Sequence, residues 1–170
     1  MPIIDGILQE FTQECALTRR LLERVPEEQF GLKPHEKSMT LGALASHLVD
    51  SIGWLGATLD MDVFEIEPGS FKPFVATTRT ELVNAFDKNV KEGADLMKGR
   101  SDDHVLAQWK MVVGGQTVIA MPRLWVLRTF IIKHQVHHRG QLDVYLRLKN
   151  VPLPQIYGPT ADEPSMMGAS

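Results

Sequence analysis

Apolar residues recur at spacings of three and four along four stretches of the chain, the pattern of helices with one buried face. The first stripe runs through Ile4, Ile7, Leu8, Phe11, Cys15, Leu22 and Val25, predicting a helix over 4–25 that Pro26 stops. Thr40 is placed to cap a second helix over 41–60, whose apolar face is Leu41, Leu44, Leu48, Ile52, Leu55 and Leu59. Thr78 and Glu81 form a capping box for a third helix over 79–98, ahead of Gly99. Pro122 suits the first turn of a fourth and longest helix over 122–149, where its missing N–H has no intrahelical partner to lose.

The connections carry their own signals. "PEEQFGLKPHEKSMT" and "EIEPGSFKPF" are rich in proline, glycine and charge, so His35 reads as a solvated loop residue. Ser101 can cap a short turn containing His104. "WKMVVGGQTVIAM" joins two β-rich runs through Gly114-Gly115, the signal of a small hairpin or an extended loop. Residues 151–170 hold four prolines and no periodicity, an irregular tail packed at its start and frayed at its end. The pattern as a whole predicts an all-α, four-helix bundle occupying one domain over 1–170, with a small β-hairpin before the last helix.

Composition narrows the function. At 170 residues and 44% hydrophobic content there is material for one buried core. A net charge of −3 without a run of Lys and Arg argues against nucleic-acid binding. The acidic start "MPIIDGILQEFTQE" and the lack of a bilayer-length apolar run point to a cytoplasmic protein with no membrane partner. Cys15 is the single cysteine, so one chain offers neither a disulfide nor a cysteine-rich zinc site, and its place on an apolar stripe reads as a small buried hydrophobe. Any metal must be held by histidine and carboxylate.

Three of the six histidines fall in "KHQVHHRGQL". The seam of the fourth helix runs Leu124, Leu127, Ile131, His134, His138, Leu142, Tyr145 and Leu148, which puts His134 and His138 in core positions. At about 100° per residue they lie only about 40° apart and one turn removed, so both rings can converge on one point. His137 lies about 60° from His134 in the other sense, at the rim. Gln135 stands where the zincin motif needs its glutamate, which disfavours a protease of that type. A third ligand must come from another helix, and His47, at the edge of the second stripe, is the candidate. Three neutral imidazoles leave open positions and suit Zn²⁺, Ni²⁺ or Fe²⁺. Gln141 and Asp50, one turn from these ligands, are placed to orient them. Arg139 reads as a surface or interface ion-pair residue, and Trp54 as core or pocket wall.

"TLGALASHLVDSIGWL" (40–55), "HQVHHRGQLDVYLRLKNVPLP" (134–154) and "IYGPTADE" (156–163) resemble the DinB-type metalloprotein superfamily. The resemblance spans essentially the whole chain. It implies a four-helix bundle with a long crossover between the second and third helices, supplied here by residues 61–77, and a homodimer. It also implies His47, His134 and His138 as ligands of a zinc or nickel ion. Better understood relatives are metal-dependent transferases that add low-molecular-weight thiols such as bacillithiol or mycothiol to electrophiles, and isomerases or hydrolases built on the same centre. The expected function is therefore a metal-dependent thiol transferase or hydrolase acting on a small molecule. The alternative is a stress- or damage-inducible dimer whose metal is structural or vestigial.

Overall fold

In the computed structural model, which describes residues 1–163, the first stripe becomes α1 (Ile3–Leu22). It ends earlier than its periodicity suggests, although Val25 still packs into the core. A 3₁₀ turn (Glu27–Gln29) follows Pro26. The second stripe is α2 (Leu41–Asp60), where Thr40 Oγ accepts the N–H of Ala43 at 3.2 Å and all six stripe residues are buried. Each such Leu or Ile contributes about 1.5–3 kcal/mol by leaving water. Then come β1 (Val63–Ile66), α3 (Arg79–Met97) and the short α4 (Asp102–Leu106), capped by Ser101 as expected. Strands β2 (Gln108–Val113) and β3 (Gln116–Pro122) form the hairpin. One helical rod completes the order: α5 (Arg123–Val126), a π-helical segment (Leu127–Ile132) and α6 (Lys133–Arg147).

Helices α1 and α2 each pack against both α3 and α6, so α1 and α2 face each other across one diagonal of the bundle and α3 and α6 across the other. Gly93 of α3 permits the close approach to α2, because a Cβ there would collide with Leu55. Among the described residues no helix is long and apolar enough to cross a membrane.

Several local expectations are corrected. The crossover between α2 and α3 is not loop throughout: β1 pairs in parallel with β2, making a three-stranded sheet of order β1-β2-β3. The hairpin turn uses positive φ at both Gly114 (55°) and Gly115 (77°), the geometry that matches strand twist. Pro122 closes β3 and precedes α5, outside the first helical turn. Thr78 Oγ does accept the N–H of Glu81, but the Glu81 carboxylate reaches one residue further, to the N–H and hydroxyl of Thr77.

The tail over 151–163 has neither helix nor strand, yet it is fastened. Glu163 pairs with Arg20 and Arg24 of the α1 region, and Asp162 pairs with Arg147. The frayed end expected of the tail lies in 164–170, outside the described residues.

Candidate metal centre

The π-helical segment sets the face that α6 presents. Bonding from i to i+5 inserts extra residues into the turn, so the buried stripe downstream slips out of the heptad register read from sequence. The buried positions of α6 are Gln135, Arg139, Leu142 and Leu146. His134 and His138 are displaced to the edge of that face, half-buried, and Leu148, expected on the seam, is exposed.

Arg139, expected at the surface, is 2% exposed. Its guanidinium donates to Glu14 O (3.0 Å), Glu14 Oε2 (2.7 Å) and the hydroxyl of Tyr157 (2.5 Å), and it stacks over the Tyr157 ring. Burial pushes the nearby Cys15 thiol up, out of thiolate chemistry at neutral pH, which fits a packing role.

The edge position brings the histidines together. His47 on α2 meets His134 with the two Nε2 atoms 2.8 Å apart, and the ring centroids of His47, His134 and His138 stand 4.9, 4.6 and 4.4 Å from one another. One ligand atom from each lies within 4.8 Å of the others. His138 Nδ1–H donates to Gln141 Oε1 at 2.7 Å, because a carbonyl oxygen only accepts, and this leaves the His138 Nε2 lone pair free for a ligand. Gln141 thus orients a ring as expected. Asp50 does not hold a histidine: its Oδ2 accepts the N–H of Phe74 at 2.9 Å and fastens the crossover. His137 is exposed and meets His138 edge to face, with ring centroids 4.7 Å apart. His35 accepts from the N–H of Lys37 in its loop, and His104 lies in α4, remote in sequence from the cluster.

All three rings are electrostatically set as neutral bases. Desolvation lowers the pKa of His134 to about 4, with further depression from the neighbouring imidazoles of His138, His47 and His137. Burial also lowers His47, and it lowers His138 against an opposing hydrogen bond from Gln141. Neutral imidazoles keep the lone pairs that a divalent cation needs. Nitrogens about 2.1 Å from one ion stand about 3.4 Å apart in tetrahedral geometry, so side-chain shifts on the order of 1 Å would fit these donors to an ion. Three histidines are therefore placed to bind a metal ion, and three ligands leave room for another.

Beside the cluster lies a cavity of about 120 Å³ lined by His47, Asp50, Ser51, Trp54, Phe71, Phe130 and His134. Trp54 belongs to this wall. Phe130, one turn before His134 on the same rod, was open to discovery by its spacing, whereas Phe71 stands in a loop without periodicity and gave no signal.

Comparison with known proteins adds a family. The model described as DinB family matches residues 4–166. The chain is 29% identical over 165 residues to the uncharacterised protein YrdA of Bacillus subtilis strain 168, covering 97% of this chain and 94% of that one. A DinB-like protein of Bacillus cereus ATCC 10987 shares the fold with a TM-score of 0.71 at 24% identity, covering 90% of this chain and 97% of that one. A second, YjoA of Bacillus subtilis, shares it with a TM-score of 0.68 at 16% identity, covering 89% and 97%.

Proposed function

The chain belongs to the DinB family, and from that premise we propose that it is a divalent-metal enzyme of the thiol-transferase or hydrolase type, with His47, His134 and His138 as its ligands. The observation that carries this reading is the convergence of three neutral imidazoles from two helices at the edge of the core, next to a cavity. A closed structural site would need a fourth protein ligand, and this cluster offers three. Zinc or nickel suits such a donor set best, with iron also compatible.

A divalent ion held there supplies Lewis acidity, lowering the pKa of a thiol or water or polarising an electrophile. The protein's own residues do the rest. Gln141 fixes the tautomer of His138, Trp54 and Phe130 keep water from one side, and Asp50 anchors the segment that forms another side.

Elemental analysis of protein purified without chelator or nickel resin tests the foundation, with about one equivalent of bound metal expected. Less than about a tenth of an equivalent, unchanged when His134 and His138 are replaced by Ala, would overturn it. A metal-loaded protein that turns over no thiol, electrophile or ester in a broad screen would reject the enzymatic half and leave the metal a structural role.

A further inference from the structure

The cavity beside the histidines is mostly apolar in its lining surface: Trp54, Phe71 and Phe130 bound it, together with His47, Asp50, Ser51 and His134. We infer that this cavity binds a small neutral ring or branched alkyl group, the non-reacting end of a substrate whose other end reaches His47 and His134. The chemistry of that substrate rests on the metal-enzyme reading above, but the binding of its apolar end does not.

The volume of about 120 Å³ is that of a single ring; an engineered apolar cavity of about 150 Å³ admits benzene. Aromatic walls favour such a guest through offset and edge-to-face contacts. The third wall is built rather than incidental. Ser46 Oγ accepts the N–H of Ala76 at 3.0 Å and Asp50 Oδ2 accepts that of Phe74 at 2.9 Å, so two residues flanking His47 pin the crossover that carries Phe71. Phe71 remains 53% exposed, as expected of a wall waiting for a guest to cover its face.

Charge argues in the same direction. An anionic guest would surrender its hydration to an apolar chamber and would lie near the Asp50 carboxyl. Desolvation already raises the pKa of that carboxyl, a sign that negative charge is disfavoured there.

The test titrates chelator-treated protein with benzyl alcohol and with benzoate, followed by ligand-observed saturation-transfer NMR and tryptophan fluorescence. Benzyl alcohol should saturate with a Kd on the order of 1 mM, and benzoate should bind at least about tenfold more weakly. Phe71→Ala, at an exposed position whose loss spares the core, should weaken benzyl alcohol binding about fivefold. Phe130→Trp, which fills the chamber, should abolish it, with circular dichroism verifying the fold. The inference is overturned if benzyl alcohol does not saturate by about 10 mM, if neither variant changes its affinity, or if benzoate binds as well. Because the titration uses metal-free protein, a chain that binds the alcohol but never holds metal defeats only the metal reading. A chain that holds metal but ignores the alcohol defeats only the cavity assignment.

Discussion

His138 and Arg139 are neighbours on α6, and they belong to two polar clusters of opposite kinds. Around Arg139 both terminal guanidinium nitrogens meet acceptors from the same chain: Glu14 takes hydrogen bonds from the guanidinium and from the Tyr157 hydroxyl, and Thr18 stands by. Around His138 the ring nitrogens are directed at one another, with Gln141 the single outside partner in hydrogen-bonding distance among the described residues. A buried charge whose partners are all internal is a structural device. Three ring nitrogens gathered at one place are positioned to bind a metal ion from outside the chain, and the histidine cluster is the one we propose as functional.

The largest effect that tests this contrast falls on the structural side. Arg139→Met strips the Glu14 carboxylate of its cationic partner, leaving it the Tyr157 hydroxyl as a donor, and should destabilise the fold by about 3 kcal/mol in urea denaturation, the low end of what breaking a buried pair costs. Replacing Arg139 and Glu14 together by apolar residues should recover most of that loss, because no unpaired charge is left. Folded Arg139→Met protein should bind metal as before. Metal loss in the folded variant would show that the two clusters are one.

On the functional side the stability and binding effects should invert. His134→Ala should weaken metal binding by more than about 100-fold, beyond what the loss of an outer partner costs, as read by competition with a chromophoric chelator. The metal-free variant should keep its stability within about 1 kcal/mol, since a half-buried ring with a depressed pKa contributes little of its own. A large loss of metal-free stability would make His134 a core residue after all.

The two clusters were not equally legible in the sequence. The histidine pair is a local signal: spacing of four on a helix brings two rings to one side whatever the rest of the fold does. His47 could be added because α2 is a regular helix with a clear stripe and a side-chain cap at Thr40. The Arg139 cluster depends on the π-helical turn at Leu127–Ile132, which shifts the phase of everything after it. No residue in "LRTFII" announces that turn, so a regular period carried through it places Leu148 inside and Arg139 outside. Strand β1 was hidden for a different reason. Its four residues, flanked by acids and a proline, owe their pairing to β2, some 47 positions later, as the register of Val63 with Lys110 shows. The wall at Phe71 likewise rests on two hydrogen bonds that the loop N–H groups of Phe74 and Ala76 donate to side chains of α2.

Gln141 tests how much of the functional cluster is orientation. It is exposed, so Gln141→Leu should leave the fold intact while removing the acceptor that holds the His138 proton on Nδ1. Metal affinity should fall about 10- to 100-fold, the range seen when such partners are lost. Gln141→Glu should restore most of it, because a carboxylate accepts the same hydrogen. Equal affinity in all three proteins would mean that His138 is held by packing alone.

The smallest effect is the pH dependence of the metal-free protein, and its sign separates the clusters again. An unfolded histidine titrates near 6.5, whereas folded His134 titrates at about 4. Between those values the unfolded chain binds more protons than the folded one, so stability rises with pH across the window and is lost as pH falls from about 6.5 toward 4. The half-buried ring is screened by solvent, which limits the change to about 1 kcal/mol. Arg139 does not titrate in this range, so Arg139→Met should keep the slope while lowering the whole curve. His134→Ala should flatten the slope in thermal melts between pH 4.5 and 7. Bound metal should steepen it, because each proton taken up by a ligand competes with the ion. A slope unchanged by His134→Ala would mean that the ring takes up protons alike in the folded and unfolded chain and is not held neutral by the fold.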